Sequence, residues 1–229
     1  MKRRSLFLAI AAGLLVSGMG ARDGRAASVA LPTTLNNLLG NSTTVVGAET
    51  LTFSNFTFTS SSVPAGSAAL ASNINVSAFT SLPNETGFAL TGTLNAPANT
   101  MVDASITYVV TAPAGELLND AFLSTAGGGS GSYLVNETLV NALTGAPITT
   151  LAGSSSGPAG QLVSFAGIQS ILVTKDIFLS GGATGESLSV VQQAFSSTGV
   201  PEPSSMALLG IGMTGFLAFR RLFKRQAIA

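Results

Sequence analysis

The sequence predicts an all-β body, an antiparallel β-sandwich of about eight strands, set between an N-terminal signal helix and a C-terminal transmembrane helix. Three observations predict it. Apolar and polar residues alternate through most of residues 27–199, the period of a half-buried strand. Turn-forming clusters such as Pro83-Asn84, Pro113-Ala114-Gly115 and Ser154 to Pro158 punctuate that alternation. Finally, an uncharged apolar run lies near each end, flanked by basic residues. The chain therefore divides into a signal peptide (1–26), a β-sandwich body (27–199) and a tail (200–229).

At the N-terminus, Lys2, Arg3 and Arg4 precede Leu6 to Val16, and small residues follow. This order of charge, short apolar stretch and small residues is that of a secretory signal peptide, read by the Sec export machinery. Eleven residues are too few to remain as an anchor. Cleavage is expected after Ala26.

The first body element is a short helix over Thr33 to Leu39, with Leu35, Leu38 and Leu39 on one side and Gly40 as its stop. Leu51 and Phe53, then Phe56 and Phe58, alternate with polar residues, and the slip of parity at Ser54-Asn55 predicts a bulge. Ile74, Val76 and Ala78 form the next strand, followed by Phe88, Leu90 and Leu94. Val102, Ala104, Ile106, Tyr108 and Val110 give the clearest strand. Ala121 to Ser124 and Tyr133 to Val140 read as strands joined by a flexible loop, Gly127-Gly128-Gly129-Ser130-Gly131, with too little side chain to pack. Leu162 to Phe165 comes next. In Ile168 to Leu179, the residues Ile171, Val173, Ile177 and Leu179 share a parity that Lys175 interrupts. Leu188 to Phe195 is the last strand.

Charge narrows the function classes. From Ala27 to Gly199 the only base is Lys175, against Glu49, Glu85, Asp103, Glu116, Asp120, Glu137, Asp176 and Glu186, so the body carries −7. That excludes nucleic acid as a partner, since binding it needs a basic footprint. The chain has no cysteine, so an exported fold must stand without disulfides. Scarce lysine also removes the usual guard on strand edges.

The catalytic inventory is short. Without His or Cys there is no Ser-His-Asp triad, cysteine nucleophile or imidazole zinc ligand. Lys175 reads as a lone exposed lysine rather than half of a Ser–Lys dyad. Asp103, Glu116 and Asp120 are the acids to consider for calcium, but no loop has the spacing of a calcium-binding hand, and the acids read as solvated surface. The sequence therefore predicts no catalytic residue, no cofactor and no metal.

The tail is the most legible segment. Val200-Pro201-Glu202-Pro203 is held extended, because each proline fixes its own backbone and restricts the residue before it. Ser204 to Phe219 would make about 24 Å of helix at 1.5 Å per residue, short of the ~30 Å hydrocarbon core. Leu222 and Phe223 extend it. Arg220, Arg221, Lys224 and Arg225 form a basic stop on the cytoplasmic side. Gly210-Ile211-Gly212-Met213-Thr214-Gly215 spells a dinucleotide-binding pattern, but no acidic residue follows it, and its glycines suit a membrane helix.

This tripartite tail resembles a PEP-CTERM sorting signal of Gram-negative bacteria. Upstream, Thr174-Lys175-Asp176-Ile177, the bend at Gly181-Gly182 and Ser189 to Ser196 are similar to final strands found before such signals. The resemblance implies an exosortase, a membrane-embedded transpeptidase-like enzyme, as partner, with cleavage near Pro201-Glu202-Pro203. It also implies export through the inner membrane, transient anchoring by the tail, and delivery to the cell surface or extracellular matrix of an exopolysaccharide-producing bacterium. The body is expected to be non-enzymatic. The alternatives are a carbohydrate-binding module for exopolysaccharide, which needs an aromatic-lined sheet face, and a secreted hydrolase, which needs paired carboxylates in a cleft.

Overall fold

The computed structural model describes residues 27–158 and 160–199, with Ile211, Met213, Thr214 and Phe216. The strands among them are β1 (Thr33–Thr34), β2 (Ser42–Val46), β3 (Thr50–Val63), β4 (Ile74–Phe79), β5 (Thr86–Ala96) and β6 (Met101–Thr111). They continue with β7 (Glu116–Gly129), β8 (Ser132–Asn141), β9 (Pro147–Ser154), β10 (Gly160–Ile168), β11 (Ser170–Ser180) and β12 (Glu186–Gly199). One sheet runs β1-β4-β5-β12-β7-β10 and the other β2-β3-β6-β11-β8-β9. All paired strands are antiparallel. Two antiparallel sheets with apolar inner faces make a β-sandwich.

Among the described residues, twelve strands replace the expected eight or so. The additional ones include β1, β2 and β9, whose Ser- and Thr-rich sequences show little contrast between apolar and polar positions. The expected short helix is present as α1 (Leu35–Leu38), with Leu35 and Leu38 buried and Gly40 beyond it at φ +70°. The expected bulge lies between Ser54 and Thr57 in the β3–β6 register, and Asn55 there has φ 56°. In β4, Ala78 keeps the parity of Ile74 and Val76 but is exposed near the strand's end, and Phe79 is buried on the other side of the sheet.

The glycine run is corrected in its first three residues, and only Ser130-Gly131 join β7 to β8. Gly127, Gly128 and Gly129 are the last residues of β7, paired with Leu188, Ser187 and Glu186. A Cβ on Gly127 would meet the Ser187 carbonyl oxygen at 2.3 Å and a Tyr133 ring carbon at 2.8 Å. At Gly129 a Cβ would meet the Gly185 carbonyl oxygen at 2.3 Å, so close approach rather than flexibility explains Gly127 and Gly129, while at Gly128 nothing lies within 4 Å.

The inner faces supply the core. Val102, Ala104, Ile106, Tyr108 and Val110 are all buried, as their alternation predicts. Phe53, Phe88 and Tyr108 meet edge to face or tilted, with centroids 5.1–6.1 Å apart, and Phe56 stacks on Tyr108 at 5.4 Å. Strand edges are guarded without lysine: β1 has only two residues, β9 opens with Pro147, and β10 slips register between Ser164 and Ile168.

Candidate functional site

The one base of the body is not at the surface. Lys175 has the parity of Ile171, Val173, Ile177 and Leu179, all of which point into the sandwich, and it is 0% exposed. It continues the inward pattern instead of interrupting it, and the reading of a solvated lysine is overturned. Opposite it in the β8–β11 ladder is Glu137, inward with Tyr133, Val135 and Leu139, and equally buried. The third member, Gln193, reaches in from β12 of the other sheet.

The three side chains make a polar bridge between the sheets. Lys175 Nζ donates to Glu137 Oε2, forming an ion pair, and to Gln193 Oε1 at 2.9 Å. Glu137 Oε1 has no hydrogen-bond partner, nor has the buried Tyr108 hydroxyl. Burial pushes the Glu137 carboxyl above its usual range, against the opposing pull of the Lys175 charge. Burial likewise pushes the Lys175 ammonium down. Both directions move the pair towards its neutral forms, as desolvation must, while the mutual attraction of the two charges opposes the shift. Burial raises the Tyr108 phenol too, with the Glu137 charge as the smaller cause.

Sequence reasoning missed Glu137 and Gln193 and misplaced Lys175. The signal that identifies them is parity: each lies in step with the inward residues of its own strand.

The remaining acids form separate groups. Asp103 lies on β6, apart from Glu116 and Asp120 on β7 of the other sheet, so the three do not converge. Asp103 instead faces Asp176 beside Ser105 and Ser61, in a shallow dip of about 200 Å³. Burial and then the Asp103 charge raise the Asp176 carboxyl. Glu49, Glu116 and Asp120 gather around the end of β12. Ser197 donates through its backbone N–H to Glu49 and through its hydroxyl to Glu116, while the Ser196 N–H donates to Asp120 Oδ1 at 2.9 Å. Glu85 is pushed up to about 7, by burial and then by the charge of Asp120. Glu137, Glu85 and Glu186 are buried. Among the described residues, no group of three or more such side chains is arranged to hold a metal ion.

One outer face carries aromatics. Phe79, Gly87, Ala194 and Phe122 form a single cross-strand row over β4, β5, β12 and β7. The two rings stack across the small residues, 6.4 Å apart and 13° from parallel, and Phe122 is half-buried.

The sorting residues Val200, Pro201, Glu202 and Pro203 and the stop residues Arg220, Arg221, Lys224 and Arg225 lie outside the described residues, as does the signal helix over 1–26. Within the apolar run, Ile211, Met213, Thr214 and Phe216 are helical, and the three apolar ones are exposed. Among the described residues no helix is long and apolar enough to cross a membrane.

Comparison with known proteins places the tail. The family model of the PEP-CTERM protein-sorting motif matches residues 199–222, and the chain carries that sorting signal. No curated protein matches the chain. Among solved structures it is similar to TmCBM61 in complex with beta-1,4-galactotriose, at 7% identity over 62% of this chain and 88% of that one, with a TM-score of 0.32. It is also similar to the enzymatically active domain of tailspike protein 4 of bacteriophage CBA120, at 12% identity over 62% and 19%, TM-score 0.26. A carbohydrate binding module of Cellvibrio mixtus lichenase 5A in complex with cellotriose matches at 14% identity over 53% and 86%, TM-score 0.21. Likenesses this distant carry no argument about ligand.

Proposed function

We propose that this chain is a non-enzymatic β-sandwich delivered to the cell surface or extracellular matrix. The sorting signal marks an exported protein processed by an exosortase, and its match over residues 199–222 is the observation that carries the reading. In this reading the Sec machinery exports the chain and the signal peptide leaves after Ala26. The tail then holds the body at the outer face of the inner membrane, with Arg220, Arg221, Lys224 and Arg225 in the cytoplasm. The exosortase cuts near Pro201-Glu202-Pro203 and passes the body on. Support for a non-enzymatic body comes from the absence of His and Cys and from the use of Lys175 inside the core. Mass spectrometry of surface-localised protein tests the proposal: mature chains should begin near Ala27 and end near the motif. Surface molecules intact through Ala229 would reduce the tail to a plain anchor.

A second reading, a module that grips exopolysaccharide, is favoured by the half-buried Phe122 ring on an outer face, backed by the buried Phe79. A glycan array with the mature protein and with Phe122→Ala checks it. Binding that is unchanged by the substitution removes the stack from the site.

A further inference from the structure

The buried trio has the composition of a self-reacting site: a primary amine, a carboxamide and a carboxyl group, brought together where water is excluded. We propose that Lys175 and Gln193 become joined by an amide between the lysine Nζ and the glutamine Cδ, formed inside the folded sandwich with Glu137 relaying the proton.

The geometry carries it. Nζ sits 2.9 Å from Gln193 Oε1, and the carbonyl carbon is one C=O bond, ~1.2 Å, from that oxygen. Cδ lies on the Cγ–Cδ axis and stays in place, and a turn about that bond swings the oxygen aside and brings the face of the amide round to the nitrogen. Glu137 touches the same nitrogen, so base and nucleophile are in contact before reaction. All three groups are 0% exposed, as are Val173, Ile177, Val135 and Leu139 beside them. Holding reactants in this way replaces a bimolecular encounter by a fixed one. A neutral Lys175 is the nucleophilic form, and burial moves both it and Glu137 towards neutrality.

The chemistry balances without a co-reactant. Nζ attacks Cδ while the neutral Glu137 carboxyl gives its proton to the amide oxygen. The resulting carboxylate carries a proton from Nζ to Nε2, the C–Nε2 bond breaks and ammonia leaves, and the proton on the oxygen returns to Glu137 as the carbonyl re-forms. The carboxyl group ends as it began, and nothing is oxidised or reduced. The new bond ties β11 of one sheet to β12 of the other, in an exported chain that has no cysteine to make a disulfide.

The sequence supplies an unusual test. Between Arg25 and Arg220, Lys175 is the only residue after which trypsin cuts. The full-length chain, purified, unfolded and digested, is expected to remain uncut from residue 26 to residue 220. Its mass should be 17 Da below that of the sequence, the loss of one ammonia, and a Lys175–Gln193 branched peptide should be recovered with a second protease. Glu137→Gln and Gln193→Ala should each restore cleavage after Lys175 and the unreduced mass. Cleavage of the wild-type chain at Lys175, with no mass loss, overturns the proposal. So does a loss of 18 Da with Lys175 joined to Glu137, which would make the glutamate the electrophile. The wild-type measurement decides the matter even where a variant fails to fold.

Discussion

Glu137 and Lys175 face each other directly across the β8–β11 ladder, with both side chains wholly inside the sandwich. A buried charge stripped of its partner is far costlier than a pair. Glu137→Leu, which leaves the Lys175 amine without its counter-charge and with Gln193 as its remaining partner, should therefore destabilise the protein by about 3–5 kcal/mol. Urea denaturation measures this, and a loss below about 1 kcal/mol, the worth of an exposed pair, would mean the pair is hydrated.

Neighbouring glycines of β7 should respond in opposite ways to alanine. At Gly127 the added methyl meets the Ser187 carbonyl at 2.3 Å, whereas at Gly128 nothing lies within 4 Å. Gly127→Ala should cost about 1–3 kcal/mol, as overpacking does. Gly128→Ala should stay within about 0.5 kcal/mol, like an ordinary surface change. Paired thermal melts give the comparison, and equal behaviour would disprove the close approach of β7 and β12.

Stability should fall as pH rises from about 4.5 to about 7. The Glu85 carboxyl, ordinarily at 4.5, is pushed up to about 7 in the folded chain, so the folded state keeps a proton that the unfolded state releases. The contribution is fully present below the unfolded value and is lost as pH rises through the folded one. Glu49 and Asp176 are raised also and act with the same sign. Denaturation at pH 5 and pH 7.5 should show the decline, and Glu85→Gln should make it shallower. A variant with the wild-type slope would clear Glu85 of the effect.

In the tail, replacing Pro201 and Pro203 by Ala should let helix extend into the cleavage site, because alanine restores the N–H and the freedom that proline denies. Membrane-held, unprocessed chains should accumulate on an immunoblot of fractionated cells. Replacing Arg220 and Arg221 by Glu removes half of the basic stop, and insertion or orientation should fail instead. Normal processing of both variants would separate cleavage from the tail's shape and charge.

Much of the body was legible because a strand's period is two and its inward residues are apolar. Val102 to Val110 declared itself through five consecutive inward positions. The bulge at Asn55 declared itself by a parity slip. What stayed hidden involved partners distant in sequence. Lys175 looks like a surface base because a lysine in a strand ordinarily faces water, and its acceptor Gln193 belongs to the opposite sheet. The run Gly127 to Gly129 looked like a loop because nothing local announces that a neighbouring backbone needs the room.

β12 is the last strand before the sorting tail, yet it occupies the interior of its sheet, between β5 and β7. Tension on the C-terminus therefore meets two ladders at once, loaded along the strand, so that their hydrogen bonds share the pull rather than parting one by one. The order of synthesis adds a timing constraint. Until the segment ending at Gly199 has crossed the membrane, β5 and β7 each lack a neighbour, and the sheet remains split down its middle. Completion of the fold and arrival of the cleavage motif thus fall at the same moment of export.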